Sequence, residues 1–546
     1  MLDNERGLYI AHCAEGALSI TGKMANRHGL IAGATGTGKT VTLQVMAETF
    51  CQAGVPCFMA DMKGDLSGIS QVGRMSGFIE KRLPEFGIEN PEFQACPVRF
   101  YDVFGEQGHP MRATISKMGP QLLSRFMQLN ETQDGVLNIV FRIADERGWL
   151  LDDLKDLRAA LDFVSKHAKE YATKYGNVAA ASVGAIQRAL LQLENQGADK
   201  FFGMPSFDIQ DLIQQEGGKG VMSVLAADKL MMQPKLYSTF LLWLLSELYS
   251  TLPEVGDLDK PKLVFFFDEA HMLFEGTSKA LLDKIEQVIR LIRSKGVGIY
   301  FITQSPTDIP ENILGQLGNR VQHALRAYSP KDQKAVKVAA ETFRSNPEFN
   351  TYDTLLELGT GEALVSFLDE KGTPRVVERA KILFPLSQIG AVSDDQRAQS
   401  VKQSRLYGRY DHPIDRESAY EILTAAYAEV EKQKAEWEAQ KEAEKQAALE
   451  AKEQAKAEKE AARAEKEAAK KAKNSIGSKV LKSVLTAVTG VVAASVADTV
   501  SSKVTGTKKK ASTTSTTQKA VKKATQSATN TITKELTRSI LGNLVK

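Results

Sequence analysis

One stretch near the start of the chain constrains its fold more than any other feature. Residues 33–40 read Gly-Ala-Thr-Gly-Thr-Gly-Lys-Thr, between a short apolar run and a helix-compatible run at 41–50. A strand, a glycine-rich loop and a helix in this order are typical of a phosphate-binding loop, in which main-chain N–H groups surround a phosphate. The stretch therefore predicts a nucleotide site on an α/β scaffold.

All residues of this loop are predicted to bind the nucleotide: Gly33, Ala34, Thr35, Gly36, Thr37, Gly38, Lys39 and Thr40. Lys39 is predicted to reach the β- and γ-phosphates, and Thr40 to offer its hydroxyl to Mg²⁺. The chain contains no Asn-Lys-x-Asp sequence, the motif that recognises guanine. The predicted ligands are therefore ATP and Mg²⁺.

A second motif supplies the acidic side chains that nucleotide hydrolysis needs. Residues 263–271 read Leu-Val-Phe-Phe-Phe-Asp-Glu-Ala-His, a buried strand that ends in two carboxylates. Because ligands of doubly wound sheets bind at this edge, Asp268 is predicted to hold Mg²⁺ and Glu269 to orient and deprotonate the attacking water. The alternative is a strand that merely ends in acidic surface residues, and the phosphate-binding loop favours the catalytic interpretation. The neighbouring His271 is predicted to be a packing or coupling residue.

Further polar groups complete the set of candidates. Gln304 ends the next predicted strand and is predicted to sense the γ-phosphate, the alternative being an ordinary polar strand end. Arg320 and Arg326 are candidates for an arginine finger, which stabilises transition-state charge from a neighbouring subunit, and a surface salt bridge is the alternative for each. Asp61 and Lys63 follow another apolar strand and are predicted to line the nucleotide or a neighbouring subunit, or else to form an ordinary loop.

The overall pattern predicts an α/β fold. From residue 29 to about 389, short apolar runs alternate with amphipathic helical stretches, which is typical of a mainly parallel sheet. Several runs are continuously apolar, as expected of strands covered on both faces. The predicted strands are 29–32, 55–61, 221–226, 262–268, 298–303 and 321–327. Residues 361–368 and 375–382 are predicted to form a β-hairpin.

The same reading divides the chain into parts. The predicted parts are 1–116, the first part of a P-loop ATPase domain; 117–207, a helical insertion; 208–395, the second part of the ATPase domain with the hairpin; 396–428, a connecting segment; 429–473, an Ala/Glu/Lys-rich helix; and 474–546, a basic, largely disordered tail. The insertion lacks strand signals and has apolar residues at three- and four-residue spacing. The Ala/Glu/Lys-rich part lacks a sustained apolar stripe, which predicts a solvated single helix rather than a coiled coil.

Charge separates the tail from the rest of the chain. The formal net charge is +3, yet residues 474–546 contain 12 Lys or Arg against 2 Asp or Glu, which gives the tail about +10 and the remainder about −7. Lysine clusters at 508–510 and 522–523 predict either binding to nucleic-acid phosphates or a solubilising or protein-tethering role. Contact with an anionic membrane surface is a third alternative.

The cysteines and the hydropathy of the chain predict the cellular compartment of the protein. Cys13, Cys51, Cys57 and Cys96 lack CxxC spacing and are predicted to be small buried residues in a reducing compartment. No charged-then-apolar leader opens the chain, and its longest uncharged apolar stretch, 484–497, is shorter than the roughly 20 residues of a bilayer span. The predicted location is the cytoplasm, without a transmembrane segment.

The motifs occur together in one known group of proteins. Residues 28–40, 61–68, 267–271 and 303–306 resemble the motifs of the HerA/FtsK group of P-loop ATPases, which is related to RecA-type motors. More specifically, residues 16–389 resemble the bacterial HerA-helicase-like family that includes YjgR-type proteins. The resemblance implies a RecA-like core and a ring, usually a hexamer, with ATP between subunits and a central pore in which DNA or another polymer moves.

These features together predict a Mg²⁺-dependent ATPase whose ring couples ATP turnover to nucleic-acid translocation or unwinding. One alternative is an ATP-driven motor that remodels or secretes protein. Another is a nucleotide-gated scaffold, in which the C-terminal helix and tail recruit a protein partner and turnover is incidental.

Overall fold

The structure, a computed structural model, describes residues 1–3, 7–256, 258–275 and 279–474. The strands are β1 Leu2–Asp3, β2 Gly7–Cys13, β3 Gly16–Ile20, β4 Gly29–Ala32, β5 Cys57–Asp61, β6 Val98–Asp102, β7 His109–Pro110, β8 Gln215–Glu216, β9 Lys219–Gly220, β10 Met222–Ala226, β11 Leu263–Phe267, β12 Val297–Thr303, β13 Asn319–His323, β14 Glu362–Ser366 and β15 Glu378–Ile382. The α-helices are α1 Lys39–Gln52, α2 Gly77–Phe86, α3 Ile115–Phe126, α4 Glu131–Arg147, α5 Leu154–Lys166, α6 Ala168–Tyr175, α7 Ala180–Glu194, α8 Ala198–Phe201, α9 Asp228–Met231, α10 Pro234–Thr251, α11 Lys279–Ile292, α12 Glu311–Leu314, α13 Pro330–Glu341, α14 Thr351–Glu357, α15 Asp394–Gln403 and α16 Ala419–Asn474. Residues Met1–Ile422 form one compact unit, and a second unit begins at Leu423.

Parallel strands form the centre of the main sheet, in the order β13, β4, β12, β11, β5, β10 and β6. Every residue of β5, β10, β11 and β12 is buried. This burial follows from their continuously apolar sequences, which suit strands covered on both faces. The predicted α/β class with a mainly parallel sheet is confirmed, and each predicted central strand has a counterpart.

Antiparallel strands extend the sheet beyond β13. The predicted hairpin is present as β14 and β15, and β15 pairs in turn with β2, which also pairs with β1 and β3. The sequence reading missed β1–β3 near the amino terminus and also β6. In β6, the charged Arg99 interrupts the apolar pattern that would predict a strand. Its buried guanidinium forms an ion pair with Glu216 at 2.9 Å, and this pair offsets the cost of burying the charge inside the sheet.

Helices α3–α8 follow one another between β7 and β8, in the interval for which a helical insertion is predicted. Local signals set their ends. The side chain of Asn130 accepts from Gln133 N in a capping box at the start of α4, and Gly148, at a φ of 65°, ends the same helix. Buried side chains on α4 recur at helical spacing, among them Val136, Leu137 and Val140.

Helix α16 covers the predicted segment 429–473 and begins earlier, at Ala419. Ser418 precedes the helix, and its N–H donates to Glu421 Oε2 at 3.1 Å, as in a capping box. The predicted tail lies outside the described residues from 475 onward. Among the described residues, no helix combines the length and the apolar character that a bilayer span requires. Cys13, Cys51, Cys57 and Cys96 are free and buried, as predicted.

Candidate active site

The candidate residues follow three adjacent parallel strands at the same edge of the sheet. Strand β4 lies beside β12, with Ala32 opposite Thr303, and β12 lies beside β11, with Phe301 opposite Phe267. The phosphate-binding loop therefore begins next to Gln304, and β12 separates it from the strand that Asp268 follows. This arrangement is the usual ligand edge of a doubly wound sheet.

Left-handed glycines shape the loop between β4 and α1. Gly36 and Gly38 have φ values of 80° and 112°, which residues with a Cβ atom rarely adopt. A Cβ on Gly33 would lie 2.5 Å from the Cβ of His323, so only glycine fits there. Helix α1 begins at Lys39, and its first N–H groups and positive dipole end therefore face the loop.

The Lys39 side chain folds back over the loop. Its ammonium donates to the carbonyl oxygens of Gly33, at 2.7 Å, and Ala34, at 3.1 Å. Burial lowers the pKa of Lys39, while the nearby carboxylates of Glu269 and Asp268 act in the opposite direction. The ammonium thus lies within the loop that is predicted to hold phosphates, and Thr40 follows it in the first turn of α1.

A buried histidine contacts the first turn of the helix that follows the loop. His323 Nε2 lies 2.7 Å from Thr42 Oγ1, and its Nδ1 lies 3.0 Å from the carbonyl oxygen of Glu362. Burial lowers the pKa of His323 to about 4, so the ring is neutral at neutral pH. Sequence reasoning missed this role, because nothing in the sequence sets this histidine apart from the others.

The two acidic residues differ in their surroundings. Asp268 is buried directly after β11, and its Oδ1 accepts the main-chain N–H of Glu269 at 2.9 Å. Burial, with a further contribution from the neighbouring Glu269 charge, raises the pKa of Asp268 to about 6. A buried carboxylate of this kind is stabilised by a cation, which is the chemistry expected of a metal ligand.

Polar and charged groups surround the carboxylate of Glu269. Lys63 Nζ donates to Oε1 at 2.8 Å, and His271 Nδ1 lies 3.5 Å from Oε2. Gln304 also helps to lower the pKa of Glu269, although among the described residues Glu269 Oε2 is buried without a hydrogen-bond partner. Burial would raise the pKa of Glu269, but the hydrogen bond and the charge of Lys63 outweigh it and lower this pKa. The structure thus brings Glu269, Gln304 and Lys63 together.

A cavity of about 770 Å³ opens beside the loop, lined by Ala34, Thr35, His271, Gln304 and Arg326, among others. Its walls join the first residues of the phosphate-binding loop to the ends of β11 and β12. Arg326 is exposed there, and its guanidinium makes a 3.3 Å hydrogen bond to the Leu356 carbonyl. Of the two arginine candidates, this one faces the site.

Arg320 lies elsewhere. Its guanidinium donates to three main-chain carbonyl oxygens, those of Leu317 at 2.9 Å, Thr342 at 2.8 Å and Leu314 at 2.9 Å. Burial lowers the pKa of the group. These contacts link the end of α13 to the loop before β13, so within the subunit the structure does not bring Arg320 to the predicted nucleotide.

Asp61 ends β5, the strand on the other side of β11 from β12. It is buried, and burial together with the charge of Asp65 raises its pKa to about 7. Lys63, two residues later, is half exposed and reaches Glu269. Of this pair, only Lys63 contacts a predicted catalytic residue.

Comparison with known proteins identifies the family of this chain. The family model described as "Helicase HerA-like C-terminal" matches residues 8–500. The chain belongs to this family. The predicted resemblance to the HerA group is therefore confirmed, and family membership supports an NTPase of the helicase type.

Two curated relatives of this HerA-like chain match over short regions. The first, a probable helicase of Methanocaldococcus jannaschii, is 29% identical over 125 residues, 22% of each protein. The second, the DNA double-strand break repair helicase HerA of Sulfolobus acidocaldarius, is 32% identical over 99 residues, 18% of this chain and 19% of that protein. The matches thus span about a fifth of these relatives.

Two of the solved structures that match the chain are a conjugative coupling protein and a VirB4 protein. The bacterial conjugative coupling protein TrwB is 15% identical with a TM-score of 0.47, and the alignment covers 70% of this chain and 91% of that one. VirB4 of Thermoanaerobacter pseudethanolicus is 15% identical with a TM-score of 0.44, covering 70% and 97%. Other TrwB structures contain ADP and Mg²⁺ or a non-hydrolysable ATP analogue.

Proposed function

We propose that the protein is a Mg²⁺-dependent ATPase motor of the HerA-like helicase family. One observation carries the proposal: Lys39, Asp268, Glu269 and Gln304 follow neighbouring strands at one edge of the sheet. A phosphate-binding cation, a buried carboxylate, a base and a polar sensor are the parts that hydrolysis of a nucleoside triphosphate requires.

The residues present fit a Mg²⁺ ion. The Thr40 hydroxyl and the Asp268 carboxylate would hold it, the latter through water, since Mg²⁺ favours oxygen ligands and keeps several waters. The buried state of Asp268 and its raised pKa support this assignment, because a buried carboxylate is stable as an anion when a cation lies nearby. When bound, the ion would offset the negative charge of the β- and γ-phosphates.

Each of the candidate side chains would have a separate role in hydrolysis. Lys39 exchanges its two carbonyl contacts for phosphate oxygens, and the N–H groups of the loop surround the phosphates. Glu269 orients the attacking water and accepts its proton, while Gln304, next to Glu269, senses the γ-phosphate and helps to position this water. The phosphate charge that develops in the transition state needs a further cation.

An arginine is proposed to supply that cation, either within the subunit or from a neighbouring subunit of a ring; Arg326 is tested first and Arg320 second. Arg326 is favoured because it is exposed at the cavity beside the loop. The proposal includes a hexameric ring, translocation or unwinding of nucleic acid, and the predicted division of the chain into an interrupted ATPase domain, a helical insertion, a long helix and a basic tail. The helix and tail are the proposed contacts for a protein partner.

The test is the steady-state rate of ATP hydrolysis with and without nucleic acid. The parent protein, Glu269→Gln and a chain ending after Lys473 are compared with no polymer, single-stranded DNA, duplex DNA or RNA, at low and moderate salt. Glu269→Gln is expected to bind ATP and to hydrolyse it at least ~10²-fold more slowly, within the range for loss of a general base. Equal turnover by this variant and the parent would remove Glu269 from the mechanism.

The polymer arm of the same experiment separates the candidate functions. Stimulation by one nucleic acid that is absent in Glu269→Gln supports a translocase, and its loss on truncation assigns capture to the tail. Hydrolysis that no nucleic acid alters leaves the ATPase standing and points to a motor that acts on protein. Tight ATP binding with almost no turnover by the parent would point to a nucleotide-gated scaffold.

A further inference from the structure

The main chain of Glu269 is in a conformation that its residue type disfavours. Its φ and ψ are 46° and 48°, in the left-handed region, where non-glycine residues are uncommon. The residue links the end of β11 to a 3₁₀ turn at Ala270–Leu273. Such a conformation persists where surrounding contacts fix it, so the groups that hold Glu269 are functionally informative.

Groups that follow the two strands flanking β11 act on the Glu269 carboxylate. On the β5 side, Lys63 Nζ donates to Oε1 at 2.8 Å. On the β12 side, the Gln304 side chain helps to lower the pKa of Glu269. His271, from the turn that follows Glu269 itself, adds a longer contact to Oε2 at 3.5 Å. Among the ion pairs of the described residues, Lys63 is the one charged group within 3 Å of the Glu269 carboxylate, and it holds this carboxylate through Oε1.

The chain presents Lys63 to this position through a tight turn. Gly64 adopts a φ of 76° between β5 and the 3₁₀ turn Asp65–Ser70, so the turn begins directly after the lysine. The Lys63 side chain is 53% exposed, whereas that of Glu269 is 9% exposed. The lysine thus reaches inward from solvent to a buried carboxylate, a contact between residues 206 positions apart.

We propose that Lys63 is a positioning residue for the catalytic base, which holds the Glu269 carboxylate towards the water that attacks the γ-phosphate. This inference rests on the proposed function and adds a residue to it. Lys63 acts through Glu269 and need not touch the nucleotide. Small displacements of a base from its productive geometry cost roughly 10²-fold in rate, so loss of the ion pair reduces the rate of the chemical step.

Stability does not explain the contact. Ion pairs with a solvent-exposed partner contribute little to folding, since water screens them and the long side chain loses freedom. A Lys63→Met variant keeps most of the side-chain volume and removes the charge, so it is expected to fold like the parent. Its circular dichroism and thermal unfolding would verify this before kinetics are compared.

The experiment measures kcat and KM for ATP in Lys63→Met, Lys63→Arg and a matched control. Lys63→Met is expected to lower kcat by roughly 10- to 100-fold with KM within about 2-fold of the parent, because positioning affects the transition state rather than substrate binding. Lys63→Arg retains a donor and a charge and is expected to recover most of the rate. The control is Lys229→Met, which removes an equally exposed lysine, 52%, from an ion pair with Glu106 that includes none of the candidate site residues; its rate should equal that of the parent.

A double variant separates this inference from the proposed function. In a Glu269→Gln background, Lys63→Met should cause little further loss, because the group it positions is already gone. If Glu269→Gln is slow but Lys63→Met hydrolyses ATP at least as fast as the parent, the proposed role of Lys63 is overturned. The proposed ATPase function is unaffected by that result. Equal fractional losses from Lys63→Met in both backgrounds also overturn it. A Glu269→Gln variant as active as the parent, or a parent without hydrolysis, overturns the proposed function and with it this inference.

Discussion

The ligand edge of the sheet and helix α16 are held together by different kinds of contact. At the sheet edge, the contacts join residues far apart in sequence, such as Lys63 with Glu269 and Thr42 with His323. In α16, the contacts are local: Gln433 donates to Glu429 at 2.9 Å, four residues away. Over residues 429–470 no position is buried, and even Leu449 is 61% exposed.

This difference shows which part of the chain depends on tertiary structure. The sheet edge contains left-handed residues, buried carboxylates and the buried His323, all of which cost free energy unless distant neighbours compensate them. Helix α16 consists of strong helix formers and needs no such compensation. Substitutions at the sheet edge should therefore affect the whole unit, and those in the exposed part of α16 should act locally.

The largest expected effect is on the core below the site. Phe266 in β11 is fully buried, with its ring centroid 5.4 Å from that of Tyr300 and 6.3 Å from that of Phe50. Phe266→Ala should lower the free energy of unfolding by about 3–5 kcal/mol, since it leaves a cavity. Leu449→Ala in α16 is the control, with a change below about 0.5 kcal/mol. Chemical denaturation of both measures the contrast, and similar effects would refute it.

Acid should remove the stability that the buried histidines contribute, while Asp61 and Asp268, whose pKa values are raised to about 7 and about 6, contribute to the pH dependence with the opposite sign. His28 Nε2 lies 2.9 Å from the Ile289 carbonyl oxygen, Nδ1 accepts from Ile299 N at 3.0 Å, and burial lowers the pKa of His28 to about 4. As pH falls from 6.5 towards 4, the unfolded chain takes up a proton that the folded one excludes, so stability is lost. The slope from His28 is at most about 1.4 kcal/mol per pH unit, and His323 should add a similar one. Urea unfolding of the parent and of His28→Asn between pH 7.5 and 4.5 isolates the His28 contribution as the difference between the two slopes; equal slopes would contradict the assignment.

Removing the cation of the phosphate-binding loop should weaken nucleotide binding. A hydrogen bond to a charged group contributes about 1.5–3 kcal/mol, so Lys39→Ala should raise the Kd for ATP by roughly 10- to 100-fold. Calorimetric titration in the Glu269→Gln background avoids turnover during the measurement. Lys229→Ala, which removes none of the candidate site residues, should bind ATP as the parent does. Unchanged affinity in Lys39→Ala would mean that ATP does not bind at this loop.

The two arginine candidates should separate into one that stabilises the fold and one that serves the site. Arg320→Ala leaves three carbonyl oxygens without their donor and should lower the free energy of unfolding by about 1–3 kcal/mol. Arg326→Ala should change stability by less than about 0.5 kcal/mol and lower the rate of ATP hydrolysis. Denaturation and kinetics on both variants test this division. The reverse pattern would restore Arg320 as the arginine finger.

The smallest expected effect lies in α16. Ala448→Gly in the exposed part of the helix should cost up to about 1 kcal/mol of local helix stability. Far-UV circular dichroism should record a small loss of helix, whereas the unfolding of the sheet unit should change by less than about 0.5 kcal/mol. A larger change in the unfolding of the unit would show that this part of α16 is not independent of tertiary contacts.

Much of the fold could be predicted because its central strands are continuously apolar and its loop has a recognisable glycine pattern. Strand β6 could not be predicted, since its buried Arg99 is tolerable only beside Glu216, a residue far away in the sequence. The position of Arg320 was equally hidden, because its partners are main-chain carbonyls that carry no sequence signal. The site roles of Lys39, Asp268, Glu269 and Gln304 stay predictions, now with a common location.

The sequence by itself determined the phosphate-binding loop, the acidic strand end, the mainly parallel α/β class and the long polar helix, because each depends on local conformational preference or hydrophobic pattern. Only the tertiary structure decided that Lys63 contacts Glu269, that His323 supports the loop and that Arg326, rather than Arg320, faces the cavity. The physical reason is that strand order places distant residues side by side, and no local pattern in a single chain records this order.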